Sequence, residues 1–430
     1  MYADALDEKR TAFRREEKRY QLHRDQTFLT RRKKKVGGPL VTRKTDMGDA
    51  LDSRDLRALA EAGGGEHGVR RVALIPSGDR NETAPREAYE LASRPGCVVF
   101  PGALDVATQR KWLVDAVTRL CEPPAATNHD AEHGKIAGLW EAATSGEPRW
   151  LEPVDAEVET ERDDVLDEAD ARGSRMANGK KKKNAPELCR WTSSRPANAS
   201  DRSSAVSLLR RLRWTTLGPP YDWTNRTYKR DEPFNDVPED IKARCDLLVA
   251  SFGDPEPEPE RSRFLSRREK GSFVNERVID ESFDEEARET RSIRSNGACF
   301  RFGAGLVNYY RSGDALAGHV DDAENDLKKP IVSFSLGSPC VFLLGGDDRD
   351  EKPSALLLRS GDAVVLARES RRRFHGVPRI FTKQENAVDG RGELLAAPDE
   401  VSDPKRWPEY PEVARYVAGG RVNISVRDID

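Results

Sequence analysis

The chain has 430 residues, 37% hydrophobic and 34% charged, and its 72 Lys+Arg nearly cancel its 75 Asp+Glu, leaving a formal net charge of -3. That length fits one large domain or two ordinary ones with tails, and the charge well above the usual ~25% marks much of the chain as solvated rather than core. Near-neutrality excludes a uniformly basic nucleic-acid coat but leaves local patches open, and six scattered Cys without a C-x-x-C pair indicate neither a zinc ribbon nor a disulfide scaffold and best fit reduced, intracellular thiols.

Residues 1–85 are polar, with a basic run at Arg31–Lys35, a Gly63–Gly65 stretch and little hydrophobic periodicity; they read as a disordered basic tail. They lack the apolar core of a secretory signal, and acids at Asp4, Asp7, Glu8, Glu16, Glu17 and Asp25 count against a transit peptide. Residues 86–144 read as an N-terminal helical extension: a strand at Cys97–Phe100, a break at Pro101-Gly102, then a helix over Leu104–Cys121 with Trp112, Val117 and Leu120 on one face. A polar insertion follows over 145–204, with eleven acids in Glu147–Asp170 and then Lys180–Lys183. Order returns over 205–252, with a helix from Pro238 to Val249, before a second, charged insertion at 253–296.

Residues 297–430 differ in character. Apolar runs at Gly305–Tyr310, Ile331–Leu336, Cys340–Leu344, Ala355–Leu358, Ala363–Ala367 and Val422–Val426, separated by Gly, Asp and Pro turns, predict an all-β sandwich or barrel. No apolar run reaches the ~18 residues of a membrane span.

Of six histidines (23, 67, 129, 133, 319 and 375), the last two lie in this β region. In His319-Val320-Asp321 an i, i+2 spacing on a strand puts imidazole and carboxylate on one face, and a second imidazole would complete a facial triad suited to non-haem Fe(II). Alone, H-x-D is a weak signal, and a surface histidine hydrogen-bonded to its neighbour is the preferred reading. Near the C-terminus, Arg421-Val-Asn423-Ile-Ser425-Val-Arg427 alternates so that two arginines, Asn and Ser share one strand face. Such a face can grip a dicarboxylate through forked, charge-assisted hydrogen bonds, or simply meet solvent.

Taken with Gly305–Tyr310, Pro330–Gly337, Phe342–Gly346, Ser360-Gly-Asp362, Glu369-Ser370-Arg371 and His375-Gly376, these motifs resemble, in order, the AlkB family of Fe(II)/2-oxoglutarate-dependent dioxygenases. Asn308-Tyr-Tyr310, Leu343-Leu-Gly-Gly346, His375–Arg379 and Arg421–Arg427 are similar in particular to the eukaryotic branch typified by the first AlkB homologue. Leu212–Gly218 and Tyr221-Asp-Trp223 resemble the family's nucleotide-recognition lid. The resemblance implies an α+β, mainly β fold: a double-stranded β-helix (jelly-roll, cupin-like) core over 297–430, with N-terminal helices and a lid at 205–252. It makes His319, Asp321 and His375 the catalytic iron ligands. It assigns 2-oxoglutarate to Asn308, Tyr310, Arg421, Asn423 and Arg427, and the substrate side to Trp214, Tyr221 and Arg349.

The implied cofactors are Fe(II), 2-oxoglutarate and O2. The implied reaction is oxidative demethylation of an N-methylated base in tRNA or in single-stranded or unpaired DNA, methyladenine for example, releasing formaldehyde, succinate and CO2. A target base has to leave its stack to reach such a site. Bacterial members carry an acid two positions after the metal aspartate, where this chain has Ala323, so the bacterial base preference does not carry over. Competing readings are a histone methyl-lysine demethylase, a nucleic-acid-binding scaffold without turnover, and an abasic-site lyase acting through a Schiff-base lysine.

Other clusters read more blandly. His129-Asp-Ala-Glu-His133 has helical zinc spacing but no third ligand nearby, so a solvated helix is preferred. Arg371-Arg372-Arg373 suits either a phosphate contact at the pocket mouth or a solvent-facing loop. Lys180–Lys183 and Arg31–Lys35 could serve nuclear import or hold an RNA backbone, or keep solvated segments soluble. The expected protein is a monomer without membrane contact, placed in the nucleus or cytoplasm, or in the mitochondrion.

Overall fold

The computed structural model describes residues 10–21, 47, 49–63, 68–74, 85–153, 189–197, 199–222, 225, 227–252, 301–324 and 326–429. Strands follow in chain order: β1 (Ala50–Asp52), β2 (Val69–Arg71), β3 (Tyr89–Leu91), β4 (Cys97–Phe100), β5 (Trp150–Pro153), β6 (Cys189–Thr192), β7 (Trp214–Leu217), β8 (Tyr221–Asp222) and β9 (Thr227–Tyr228). The C-terminal region supplies β10 (Phe302–Arg311), β11 (Leu316–His319), β12 (Ile331–Gly337), β13 (Cys340–Leu344), β14 (Ser354–Leu358), β15 (Ala363–Leu366), β16 (His375–Ile380) and β17 (Gly420–Asp428). They form an eight-stranded sheet ordered β2-β3-β4-β15-β12-β17-β10-β7 and a five-stranded sheet ordered β1-β14-β13-β16-β11, with two small hairpins. The two sheets close on each other as the expected jelly roll.

Strand alternation sorts the core into two layers. On β10 and β17, Tyr309, Val422, Ile424 and Val426 join the cluster between the large sheet and the helices, while Tyr310 joins the cluster between the sheets. The helix Val106–Thr118 starts at Asp105, whose carboxylate caps the Thr108 N–H at 2.7 Å. It buries Trp112 edge-on to Phe334 of β12, ring centroids 5.1 Å apart. Trp112, Val117 and Leu120 are all buried, as their spacing predicts. The second expected helix runs Glu239–Phe252. Among the described residues no helix is long and apolar enough to cross a membrane.

Three segment boundaries and one local reading differ from expectation. The N-terminal region is no mere tail: the helix Ala12–Tyr20 buries Phe13, Glu17 and Tyr20, β1 pairs in parallel with β14, and β2 pairs with β3. Residues 86–144 are not an extension, because β3 and β4 belong to the large sheet and β4 pairs with β15. The insertion at 145–204 is narrower than its composition suggests, since β5 and β6 form a hairpin at its two ends. The solvated-helix reading of His129/His133 holds only in part: the helix Asp130–His133 buries no residue, but His129 before it is 3% exposed and its Nε2 lies 3.0 Å from the Leu208 carbonyl. The runs Arg31–Lys35 and Lys180–Lys183, most of the acid-rich segment, the 253–296 insertion and Trp223 lie outside the described residues.

Candidate metal and co-substrate centre

Pairing of β11 with β16 sets His319 directly opposite His375. Neither strand is among the apolar runs of the sequence: β11 has only four residues, and β16 contains Gly376 and Pro378, which break a strand pattern. The ladder between β13 and β16 accommodates Pro378 with a register shift between Val341 and Leu343. β11 ends at His319, so Asp321 reaches the site from the connection that follows rather than from a continuing strand.

The three side chains nevertheless converge. The imidazole centroids are 4.4 Å apart, Asp321 Oδ1 lies 3.5 Å from His319 Nε2 and Oδ2 lies 3.8 Å from His375 Nε2. Among the described residues this is the one group of three or more His, Cys, Asp or Glu arranged to hold a metal, its candidate ligand atoms all within 4.8 Å of one another. His319 Nδ1 sits 3.0 Å from the Ala317 carbonyl and His375 Nδ1 3.2 Å from that of Arg373. Those carbonyls favour the Nδ1–H tautomer and leave each Nε2 lone pair facing Asp321, the orienting arrangement typical of metal-binding histidines. Burial pushes His375 down to about 4, with Asp321 opposing. Burial also resists ionisation of Asp321, but Arg427 and both imidazoles outweigh it and hold the carboxyl below the usual carboxylate range. Two imidazoles with Nε2 turned inward beside an ionised carboxylate are the donor set a divalent iron needs.

Arg421 lies on β17 opposite Tyr310 and is 3% exposed. Its Nη2 donates to Ser335 Oγ at 2.9 Å, and its guanidinium carbon stands 5.3 Å over the Tyr310 ring. Nε and Nη1 are buried without a hydrogen-bond partner, so this buried cation keeps charged donors for which an anionic group is the natural acceptor. Asn423 donates to Ser333 Oγ and the Phe334 carbonyl, both at 2.8 Å, and Asn308 Nδ2 reaches Asn423 Oδ1 at 3.5 Å. The guanidinium of Arg427 instead pairs with Asp321 Oδ2 at 3.2 Å and Glu324 Oε1 at 3.2 Å, beside the metal ligand.

The substrate-side residues are more dispersed. Trp214 is half-buried at the start of β7 and pairs with Asn308. Tyr221 packs edge-on against Tyr228, centroids 5.1 Å apart, in the β8–β9 hairpin. Arg349 donates to the Gly318 carbonyl at 2.9 Å and stands over Phe374, bracing the strand that carries His319. Arg371 is neither a phosphate contact nor solvent-facing: it is 1% exposed and holds Glu324 Oε2 and the carbonyls of Asp321 and Lys329.

Glu324 is the residue that sequence reasoning missed. It joins Arg371, Arg427 and, at 2.9 Å, the Tyr228 hydroxyl, so the hairpin bearing Tyr221 is tied through one carboxylate to the metal aspartate. No local signal separates it from its acidic neighbours Asp321 and Asp322. Its role depends on arginines 47 and 103 positions away.

Comparison with known proteins agrees with this geometry. The model of the 2OG-Fe(II) oxygenase superfamily matches residues 174–427. An Arabidopsis thaliana protein described as DNA N(6)-methyladenine demethylase ALKBH1A is 31% identical over 424 residues, 98% of this chain and 97% of that protein. The chain belongs to the AlkB family of Fe(II)/2-oxoglutarate-dependent dioxygenases. Another AlkB-family relative, the Schizosaccharomyces pombe tRNA demethylase abh1, is 35% identical over 40% of this chain and 43% of its own length. A solved structure of OsALKBH1 aligns with 50% of this chain and 78% of its own at 23% identity and a TM-score of 0.31.

Proposed function

We propose that this dioxygenase oxidatively demethylates N-methylated bases of nucleic acid, with methyladenine in tRNA or in unpaired DNA as the substrate class. The observation that carries the oxidative reading is the convergence of His319, Asp321 and His375, in a chain whose buried Arg421 keeps Nε and Nη1 unpaired. Nucleic acid as substrate is supported by relatives described as DNA and tRNA demethylases.

Fe(II) held by the triad would supply O2 activation, with 2-oxoglutarate consumed to succinate and CO2 as an N-methyl group is hydroxylated and lost as formaldehyde. The protein's own contribution is positioning. The Arg421 guanidinium anchors the co-substrate's carboxylate, with Tyr310 beneath it and Asn423 and Asn308 alongside. Arg427 keeps Asp321 ionised and turned toward the imidazoles. Tyr221 and Trp214 offer aromatic faces to an extruded base.

The test is nucleoside mass spectrometry on bulk tRNA and DNA incubated with the protein, Fe(II), ascorbate and 2-oxoglutarate. A methyladenosine or methyldeoxyadenosine that falls with wild type and persists with Asp321→Ala supports the proposal. Wild type that leaves every methylated nucleoside unchanged while demethylating a histone methyl-lysine peptide overturns it.

A further inference from the structure

A cleft of about 860 Å³ opens at the edge strand β7, lined among others by Arg210, Arg211, Arg213, Arg311 and Asp314. Its charges are unbalanced. Arg213 pairs with Asp314 Oδ2 at 2.7 Å, but the same oxygen also accepts the Arg311 backbone N–H at 2.7 Å. The guanidinium carbon of Arg311 stands over Tyr416, 3.4 Å from the ring centroid, and Nη1 donates to the Tyr416 carbonyl. Arg210 is exposed, and among the described residues its side chain makes no hydrogen bond or ion pair. Burial holds Arg311 below its ordinary range, and the nearness of Arg210 and Arg213 adds to the effect. Four arginines therefore line the cleft with one carboxylate, an arrangement that repels itself until an anion enters.

The cleft also has a direction. Arg213 immediately precedes Trp214, and Arg311 and Gly419 flank the Arg421 end of β17, whereas Arg427, which pairs with Asp321, stands six residues farther along that strand, roughly 20 Å at strand rise. Resting on the nucleic-acid reading above, we infer that this arginine cleft is a binding site for the phosphodiester backbone of the substrate strand, a few nucleotides away from the base that enters the centre. Guanidinium forks match phosphate oxygens bidentately, and a lysine-rich peptide would be repelled. Such contacts carry no sequence information; they set register and make affinity depend on salt.

The test is fluorescence anisotropy on the full chain with a labelled, unmodified 20-nucleotide single strand over a salt series, alongside Arg210→Glu, Arg210→Lys and competition by a methylated mononucleotide. Arg210→Glu should weaken the 20-mer by about tenfold, the worth of one charged contact, and lower the slope of log affinity against log salt by about 1. The ratio of mononucleotide to 20-mer Kd should narrow, and Arg210→Lys should keep most of the slope. An unchanged 20-mer affinity and slope in Arg210→Glu overturns the inference, as does an equal loss for the mononucleotide. Because the probe is unmodified, the two readings can fail separately. Loss of binding in Arg210→Glu with no demethylation of any nucleic acid sinks the proposed activity and keeps the cleft. Demethylation with a normal salt slope in Arg210→Glu sinks only the cleft.

Discussion

Arg421 shows how one side chain can announce an absent partner. It is 3% exposed, yet two of its three guanidinium nitrogens lack a hydrogen bond. A buried charge left this way costs several kcal/mol, so the arrangement is economical only if an anion completes it. Arg421→Ala should raise the KM for 2-oxoglutarate on the order of a hundredfold, since a charged contact is worth up to about 3 kcal/mol. Arg421→Lys should rescue only part of it because ammonium lacks the planar guanidinium. A KM within twofold of wild type in Arg421→Ala would remove Arg421 from the pocket. Asp321→Ala should abolish iron-dependent turnover and Fe(II) binding, read by calorimetry, while far-UV circular dichroism stays unchanged. At this scale the sequence was informative where signals are local: the i, i+2 pair His319/Asp321 and the alternation through Arg421 and Asn423. Glu324 was not legible, because burial of one acid among three neighbours is decided by Arg371 and Arg427 from other elements.

Between elements, the decisive contact joins the helix Ala12–Tyr20 to β11. Phe13 packs so closely over Gly318 and Gly345 that an added Cβ would stand 2.3 Å and 2.8 Å from its ring. Glu17 accepts the Gly318 N–H at 2.6 Å, and the Phe13 N–H donates to the Arg349 carbonyl at 2.9 Å. The helix thus braces the residue before His319. Phe13→Ala removes a fully buried ring, a change that typically costs 3–5 kcal/mol, which exceeds what a nine-residue helix can hold without its dock. The expected result is trypsin cleavage within Ala12–Tyr20 and weaker Fe(II) binding. Gly318→Ala should do the same through the clash. Full protection from trypsin in Phe13→Ala would contradict the bracing role. Composition hid this element: Phe13 and Tyr20 stand two helical turns apart, but the residues between them are Arg14, Arg15, Glu16, Glu17, Lys18 and Arg19. The central strands were legible because they are apolar and β-branched. β16 was not, since its Gly and Pro are tolerated only where β11 and β13 flank it.

Across the whole molecule, the jelly roll draws its site from both sheets and turns the outer face of its large sheet to a helical layer, and acid should attack that helical junction. His129 lies there, against Leu208, with burial pushing its imidazole down to about 4. The Leu208 carbonyl favours protonation but is outweighed by burial, and His133, itself lowered by burial, and Arg211 oppose it further, with Asp130 a smaller favourable influence. In the unfolded chain an imidazole titrates near 6.5. Because the folded value is depressed, the contribution to stability is complete above pH 6.5 and is lost as pH falls from there toward 4. At about 1.4 kcal/mol per unit, this one group accounts for roughly 2 kcal/mol by pH 5. Gln at position 129 can still donate to the Leu208 carbonyl but does not titrate. His129→Gln should therefore lose about 2 kcal/mol less than wild type between pH 7.5 and pH 5, measured by urea unfolding. Parallel losses in the two proteins would show that the imidazole is already protonated in the folded state, or that the acid sensitivity arises at the metal-site histidines instead.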